Sequence, residues 1–230
     1  MVIGNGMVAK RFESYKTNDD FIIFASGVSN SKTTESTAYN RETLCLLKTI
    51  EKYKNKTLVY FSTCSLYDPG ESDSPYVLHK RKLEEFIQKN VAYYYIFRVS
   101  NLVGKSSNPN TILNFYYSHM SNKINFDLWS NSSRNLIDTD DMYRIVDHLL
   151  MKEMYKNQII NIANPDSYNV KEIITALEIA LGTKANYTSL PKGSRFLIDI
   201  SLILPVIREL KINFSESYLS HLIKKYYLHK

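Results

Sequence analysis

Cysteine is nearly absent from this chain: Cys45 and Cys64 are the only two in 230 residues. One falls on an expected helix and the other at an expected strand end, so a disulfide framework of the secreted-domain kind is not indicated. Long apolar runs are missing too. The longest, FLIDISLILPVI at 196–207, is interrupted by Asp199 and Pro205 and is too short to span a bilayer. The opening MVIGNGMVAKRF has glycines where a secretory signal needs an apolar stretch. No membrane insertion is expected, and a soluble, cytoplasmic protein follows. His79, His119, His148, His221 and His229 show no metal-ligand spacing with Cys, Asp or Glu, so no metal is expected. There is no stripe of basic residues either. Lys and Arg number 29 against 23 Asp and Glu, a net charge of +6, but apart from Lys224–Lys225 they are scattered. A nucleic-acid-binding face would concentrate them, so no nucleic acid is expected. The surplus favours anionic ligands such as nucleotides through long-range attraction.

What is present is an alternation of apolar runs and helical patterns. MVI (1–3) reads as a strand stub and is followed by a helix from about Met7 to Tyr15. FIIFAS (21–26), TLVYFST (57–63), VAYYYIFRVS (91–100) and QIINIA (158–163) read as strands. Helices are expected at 34–53, 76–89, near 111–121, at 139–155, at 170–181 with Gly182 closing it, and at 215–228. In the helix at 34–53, Leu44, Leu47 and Ile50 share one face, expected to lie on the sheet. Leu46 and Tyr53, with Leu83 of the helix at 76–89, are left for a second apolar surface. The rhythm implies an α/β fold with a mostly parallel sheet and helices on both faces. The division expected is a Rossmann-like cofactor part at 1–105 and a substrate-binding part at 106–230, the latter interleaved with late strands and helices of the same fold.

Three local patterns carry chemistry. Gly4-Asn5-Gly6-Met7-Val8-Ala9 is a G-x-G-x-x-A turn between a strand and a helix. Glycines there allow a tight turn and a close approach of backbone to a pyrophosphate. Tyr76 and Lys80 lie four apart, on one helical face. An ammonium beside a phenol stabilises the phenolate, and such a tyrosine can exchange a proton with a substrate hydroxyl. Thr63 ends the strand YFST, 13 residues before Tyr76, where its hydroxyl can reach the same substrate oxygen. Each pattern alone is weak, and together they are far more specific.

The order of glycine turn, FASG (24–27), Asn40, FSTCSLY (61–67), YVLHK (76–80) and FRVSNLVG (97–104) resembles the extended short-chain dehydrogenases/reductases, specifically the NAD-dependent epimerase/dehydratase family. SRNLIDTDD (133–141) and NIANPDSYNVKEII (161–174) resemble its later segments. The resemblance implies redox modification of a nucleotide-activated sugar with NAD or NADP, of epimerase or keto-reductase type, in surface-polysaccharide synthesis. It implies Thr63 as the polarising hydroxyl, Tyr76 as general acid/base, and Lys80 as tuner of Tyr76 and holder of the nicotinamide ribose. Asn40 would support Lys80 through water. Gly4, Asn5, Gly6, Met7, Val8 and Ala25 would bind the cofactor with Lys80; Ser65, Asn101 and Arg134 would bind the substrate, Arg134 at its diphosphate. A homodimer through the helices at 34–53 and 76–89 is also implied.

Two departures stand out. The dehydratases' Asp-Glu pair after the threonine is here Cys64-Ser65, so that elimination lacks its acid and base. Between the glycine turn and FIIFAS there is room for only one helix, where the family fits two further strands. The carboxylate expected about twenty residues after the glycines has no clear counterpart, for Asp19 and Asp20 fit the entry turn of the next strand. A cofactor is therefore expected to bind weakly. The alternative is a catalytically silent ligand-binding or regulatory protein that keeps the fold.

Overall fold

The computed structural model describes residues 1–228; His229 lies outside the described residues. The chain starts with β1 (Val2–Ile3), α1 (Met7–Arg11) and a 3₁₀ turn at Glu13–Thr17, then β2 (Phe21–Phe24), α2 (Ser36–Lys52) and β3 (Thr57–Thr63). It continues with α3 (Pro75–Asn90), β4 (Tyr94–Val99), β5 (Asn101–Val103), α4 (Ile112–Ser121), β6 (Phe126–Trp129), β7 (Ser133–Arg134), β8 (Leu136–Asp138) and α5 (Thr139–Met151). Last come β9 (Ile159–Ile162), β10 (Tyr168–Asn169), α6 (Val170–Leu181), β11 (Tyr187–Leu190), α7 (Leu204–Glu209) and α8 (Tyr218–Tyr227).

Five strands form one parallel sheet in the order β1-β2-β3-β4-β9. The sheet is covered on both faces, so its strands read as continuous apolar runs with two-fold alternation. Ile23, Val59, Tyr95 and Phe97 point to a core completed by α5, α7 and Phe12. Ile22, Phe24, Leu58, Tyr60 and Ile96 point the other way, against Leu46 of α2 and Leu83 and Ile87 of α3. A third core gathers α4, α6 and α8 around Phe126 and Leu128. β9 and α5, although late in the chain, complete the first sheet and its cover.

Helix ends follow local chemistry. Pro75 opens α3 behind Ser74, whose hydroxyl accepts from the Val77 amide. Asn169 and Glu172 form a capping box on α6, and Gly182 closes it in the left-handed region at φ 62°. Pro205, which interrupts the apolar run, sits in the first turn of α7, where its missing N–H does no harm.

The face expected of α2 is inverted. Leu46 is fully buried with Glu42 and Thr49, whereas Leu44 and Leu47 are 57% and 38% exposed. Leu83 likewise packs on the sheet rather than facing outward. The buried stripe contains two polar residues, so apolar spacing pointed to the wrong side. No helix among the described residues is long and apolar enough to cross a membrane.

Candidate active site

The carboxyl ends of β1, β2, β3 and β4 open on one cleft of about 360 Å³. Gly6, Met7, Val8, Ala25, Thr63, Ser65, Tyr76, Lys80 and Asn101 all line it. This is where an open α/β sheet exposes its ligand crevice. Gly4 stands just behind, with φ 123° and its Cα so close to β2 that an added Cβ would lie 2.3 Å from the Ala25 carbonyl oxygen. Only glycine fits there. At Gly6 an added Cβ would meet nothing within 4 Å, so the turn's backbone is open to a ligand. Asn5 lies between them, exposed. The helix that follows has five residues, so its dipole is smaller than a full-length helix would supply.

Thr63 is buried at the end of β3, and its Oγ1 accepts from the Ser65 amide and meets the Ser65 hydroxyl, both at 3.0 Å. Burial raises the Tyr76 phenol above its ordinary value, opposed by the Lys80 ammonium and the Thr63 hydroxyl and reinforced by Glu42. Lys80 is almost fully buried, and its Nζ lies 5.9 Å from the centre of the Tyr76 ring. Ser62 and Ser100 also line this cleft; their hydroxyls are buried and have no hydrogen-bond partner among the described residues.

Asn40 does not meet Lys80. It is exposed on α2, while Glu42, two residues later and therefore on nearly the opposite side of the helix, is wholly buried against the lysine. Glu42 Oε1 accepts from Lys80 Nζ at 2.7 Å and from Tyr60 Oη at 2.9 Å. Its Oε2 accepts from the Val28 amide at 3.0 Å and meets His79 Nε2 at 3.1 Å. Lys80 holds the Glu42 carboxyl far below the carboxylate range despite its burial. A buried glutamate and a buried lysine would each be costly alone, and together they satisfy one another.

Arg134 lies outside the cleft, half-buried on β7, with Nη1 donating to the Ser133 carbonyl at 2.8 Å and 3.9 Å from Asp68. Asp68 in turn accepts from Ser194 Oγ and from the Gly70 amide. A larger cavity, about 1140 Å³, opens beside this arginine between α6, β11 and residues 195–198; Ser133 and Asn135 are in its wall. Cys64 is buried; its Sγ donates to the Arg98 carbonyl at 3.1 Å, and burial pushes the thiol up to about 12, so it is no acid at neutral pH. Asp19 pairs with Lys56 at 2.9 Å and the Asp20 carbonyl accepts from the Thr57 amide, so both serve the entry to β2.

The open backbone at Gly6 suits the pyrophosphate of a dinucleotide, and the unpartnered buried hydroxyls of Ser62 and Ser100 lie in the wall of the same cleft. β1 is the outermost strand of the sheet.

Solved structures share this architecture. The UDP-glucuronic acid 4-epimerase of Bacillus cereus, solved with UDP-glucuronic acid and NAD, aligns at a TM-score of 0.67 and 21% identity over 96% of this chain and 76% of its own. The ADP-L-glycero-D-manno-heptose-6-epimerase of Helicobacter pylori aligns at 0.67 and 18%, over 95% and 75%. The dTDP-glucose 4,6-dehydratase of Bacillus anthracis, solved with NAD, aligns at 0.67 and 17%, over 95% and 77%. No curated protein matches the sequence. Residues 10–163 match the profile of the NAD dependent epimerase/dehydratase family, and the chain belongs to that family.

Proposed function

We propose that this protein carries out a nicotinamide-dependent redox modification of a nucleotide-activated sugar, of epimerase or keto-reductase type. The observation that carries the reading is the convergence of Thr63, Tyr76 and Lys80 on one cleft floored by the glycine turn. In this reading Thr63 polarises the substrate oxygen and Tyr76 exchanges a proton with it. Gly4, Asn5, Gly6, Met7, Val8 and Ala25 form the cofactor's bed. A bound nicotinamide supplies or accepts hydride there. Ser65 and Asn101 hold the sugar, and the nucleotide diphosphate extends towards Arg134 and the larger cavity beside it. Residues 1–105 provide the cofactor part and 106–230 the substrate part, the latter interleaved with β9 and α5, which complete the cofactor part's sheet and its cover. The pathway the resemblance implies is surface-polysaccharide synthesis in the cytoplasm.

The working unit proposed is a homodimer, with Leu44 and Leu47 of α2 and Leu78 of α3 as its apolar contact, all of them exposed in the single chain. The test of the functional reading is a thermal-shift screen with NAD, NADP and a panel of sugar nucleotides, since a ligand of the native state raises the melting temperature. A rise with one nicotinamide and one sugar nucleotide supports it. No rise with any of them at millimolar concentration favours the silent ligand-binding reading, which the missing strands beside β1 already support.

A further inference from the structure

A lysine ammonium has three N–H donors. Lys80 gives one to Glu42 Oε1 at 2.7 Å, one to Tyr60 Oη at 3.0 Å and one to the Phe61 carbonyl at 3.2 Å. None remains for a ribose hydroxyl or for the Tyr76 phenol. Glu42 is equally fixed, by Tyr60, His79 and the Val28 amide. Gly27 closes over the pair, for a Cβ there would lie 3.1 Å from Lys80 Nζ and 3.5 Å from Glu42 Oε1. The lysine cannot swing towards Tyr76 without taking its ammonium from the buried carboxylate and leaving it to Tyr60, His79 and the Val28 amide, which is strongly unfavourable.

The electrostatic consequence is direct. A free ammonium near a phenol stabilises the phenolate, whereas an ammonium in contact with a carboxylate presents a dipole whose field falls off much faster. We propose that Glu42 is a positioning residue that fixes Lys80 and compensates its charge, so that Tyr76 rests as a proton donor and the site reduces a nucleotide-linked keto-sugar. This rests on the functional reading above and chooses between its two reaction types. In the reduction, a reduced nicotinamide dinucleotide gives hydride to the carbonyl carbon and leaves oxidised. The carbonyl π pair takes the proton of Tyr76 Oη, so that C=O becomes CH–OH, and solvent reprotonates the tyrosinate. An epimerase would need the same tyrosine as a base at its first step.

The phenol's surroundings agree. Burial is the chief cause of its raised pKa, and Glu42 opposes the effect of Lys80. Tyr39 of α2 also acts on the phenol; it is in ring contact with His79 of α3 at 4.9 Å, and His79 and Tyr60 of β3 both contact Glu42.

The experiment places 3-fluorotyrosine at position 76 of the full chain and follows its fluorine NMR signal with pH. The expected midpoint lies above that of free 3-fluorotyrosine in the same buffer. In Glu42→Gln, which removes the charge and keeps the shape, the midpoint should fall by about one to two pH units. A Glu42 that merely fills space would not move it. A midpoint below that of the free amino acid overturns the proposal on the unsubstituted chain alone, whether or not Glu42→Gln folds. An unmoved midpoint in a folded Glu42→Gln chain overturns it as well. The titration uses neither cofactor nor sugar, so its failure is separate from failure of the ligand screen.

Discussion

Glu42 and Lys80 meet at 2.7 Å with 0% and 3% of their side chains exposed. The contact joins α2 to α3 beneath the cleft, and it makes each charge depend on the other. Removing the lysine leaves a buried carboxylate held only by Tyr60, His79 and the Val28 amide. Lys80→Met should therefore destabilise the protein by about 3–5 kcal/mol. Adding Glu42→Gln to Lys80→Met should recover a large part of that loss, giving a coupling well above 0.5 kcal/mol in a double-mutant cycle by urea unfolding. Additive losses would mean that the two charges do not support each other.

The same pair fixes a pH window. Glu42 is held below its ordinary value of 4.5, so its contribution is complete above 4.5 and is lost as pH falls below it. Lys80 is raised above 10.5, so its contribution is complete below 10.5 and is lost only as pH rises past it. The stability difference between the native chain and Glu42→Gln should be flat between those two values and shrink progressively below 4.5. Urea unfolding at a series of pH values measures it. A difference that grows on acidification would contradict the assignment.

The proposed dimer predicts a clean separation of assembly from folding. Leu44→Asp and Leu47→Asp fall on the exposed side of α2. They should give a monomer by light scattering while changing chain stability by only about 0.5 kcal/mol, as surface substitutions do. A native chain already monomeric at micromolar concentration would remove the dimer from the account.

Cofactor affinity should be low and indiscriminate. With β1 at the sheet edge, no strand among the described residues lies beyond it, and Asp19 and Asp20 are engaged in the entry to β2. A lost carboxylate–ribose bond alone is worth about 1.5–3 kcal/mol, or one to two orders of magnitude in affinity. Calorimetric titration should give similar, weak constants for NAD and NADP. Low-micromolar binding with a strong preference would show that the loop carrying Ser29 and Ser31, which lines the cleft, rebuilds that pocket.

Much of this fold is legible in the sequence, and the failures have physical causes. β3 matches its apolar run residue for residue, and α6 lies between a capping asparagine and a left-handed glycine, because the signals at these places are local. The strands β5, β6, β7, β8, β10 and β11 run for two to four residues and exist through their partners, so no period marks them. The chemistry divides in the same way. Thr63, Tyr76 and Lys80 sit on well-marked elements and come together in the cleft. Asn40 lay beyond local reasoning, because its exposure and Glu42's burial depend on which side of α2 meets the sheet. The buried Glu42 had one signal: a glutamate at helical spacing with Leu46 and Thr49, legible only once Leu46 is known to face inward.

The most direct test of the central claim is a turnover measurement. Purified protein is given reduced NAD or NADP with nucleotide-linked keto-sugars, and loss of the reduced nicotinamide is followed for the native chain and Tyr76→Phe. The native chain should oxidise the reduced cofactor with at least one keto-sugar. The rate should be about 10²–10⁴-fold lower for Tyr76→Phe at an unchanged melting temperature, since only the proton-carrying hydroxyl is removed. An equal rate in Tyr76→Phe, or no oxidation of either cofactor at millimolar concentration, would contradict the claim.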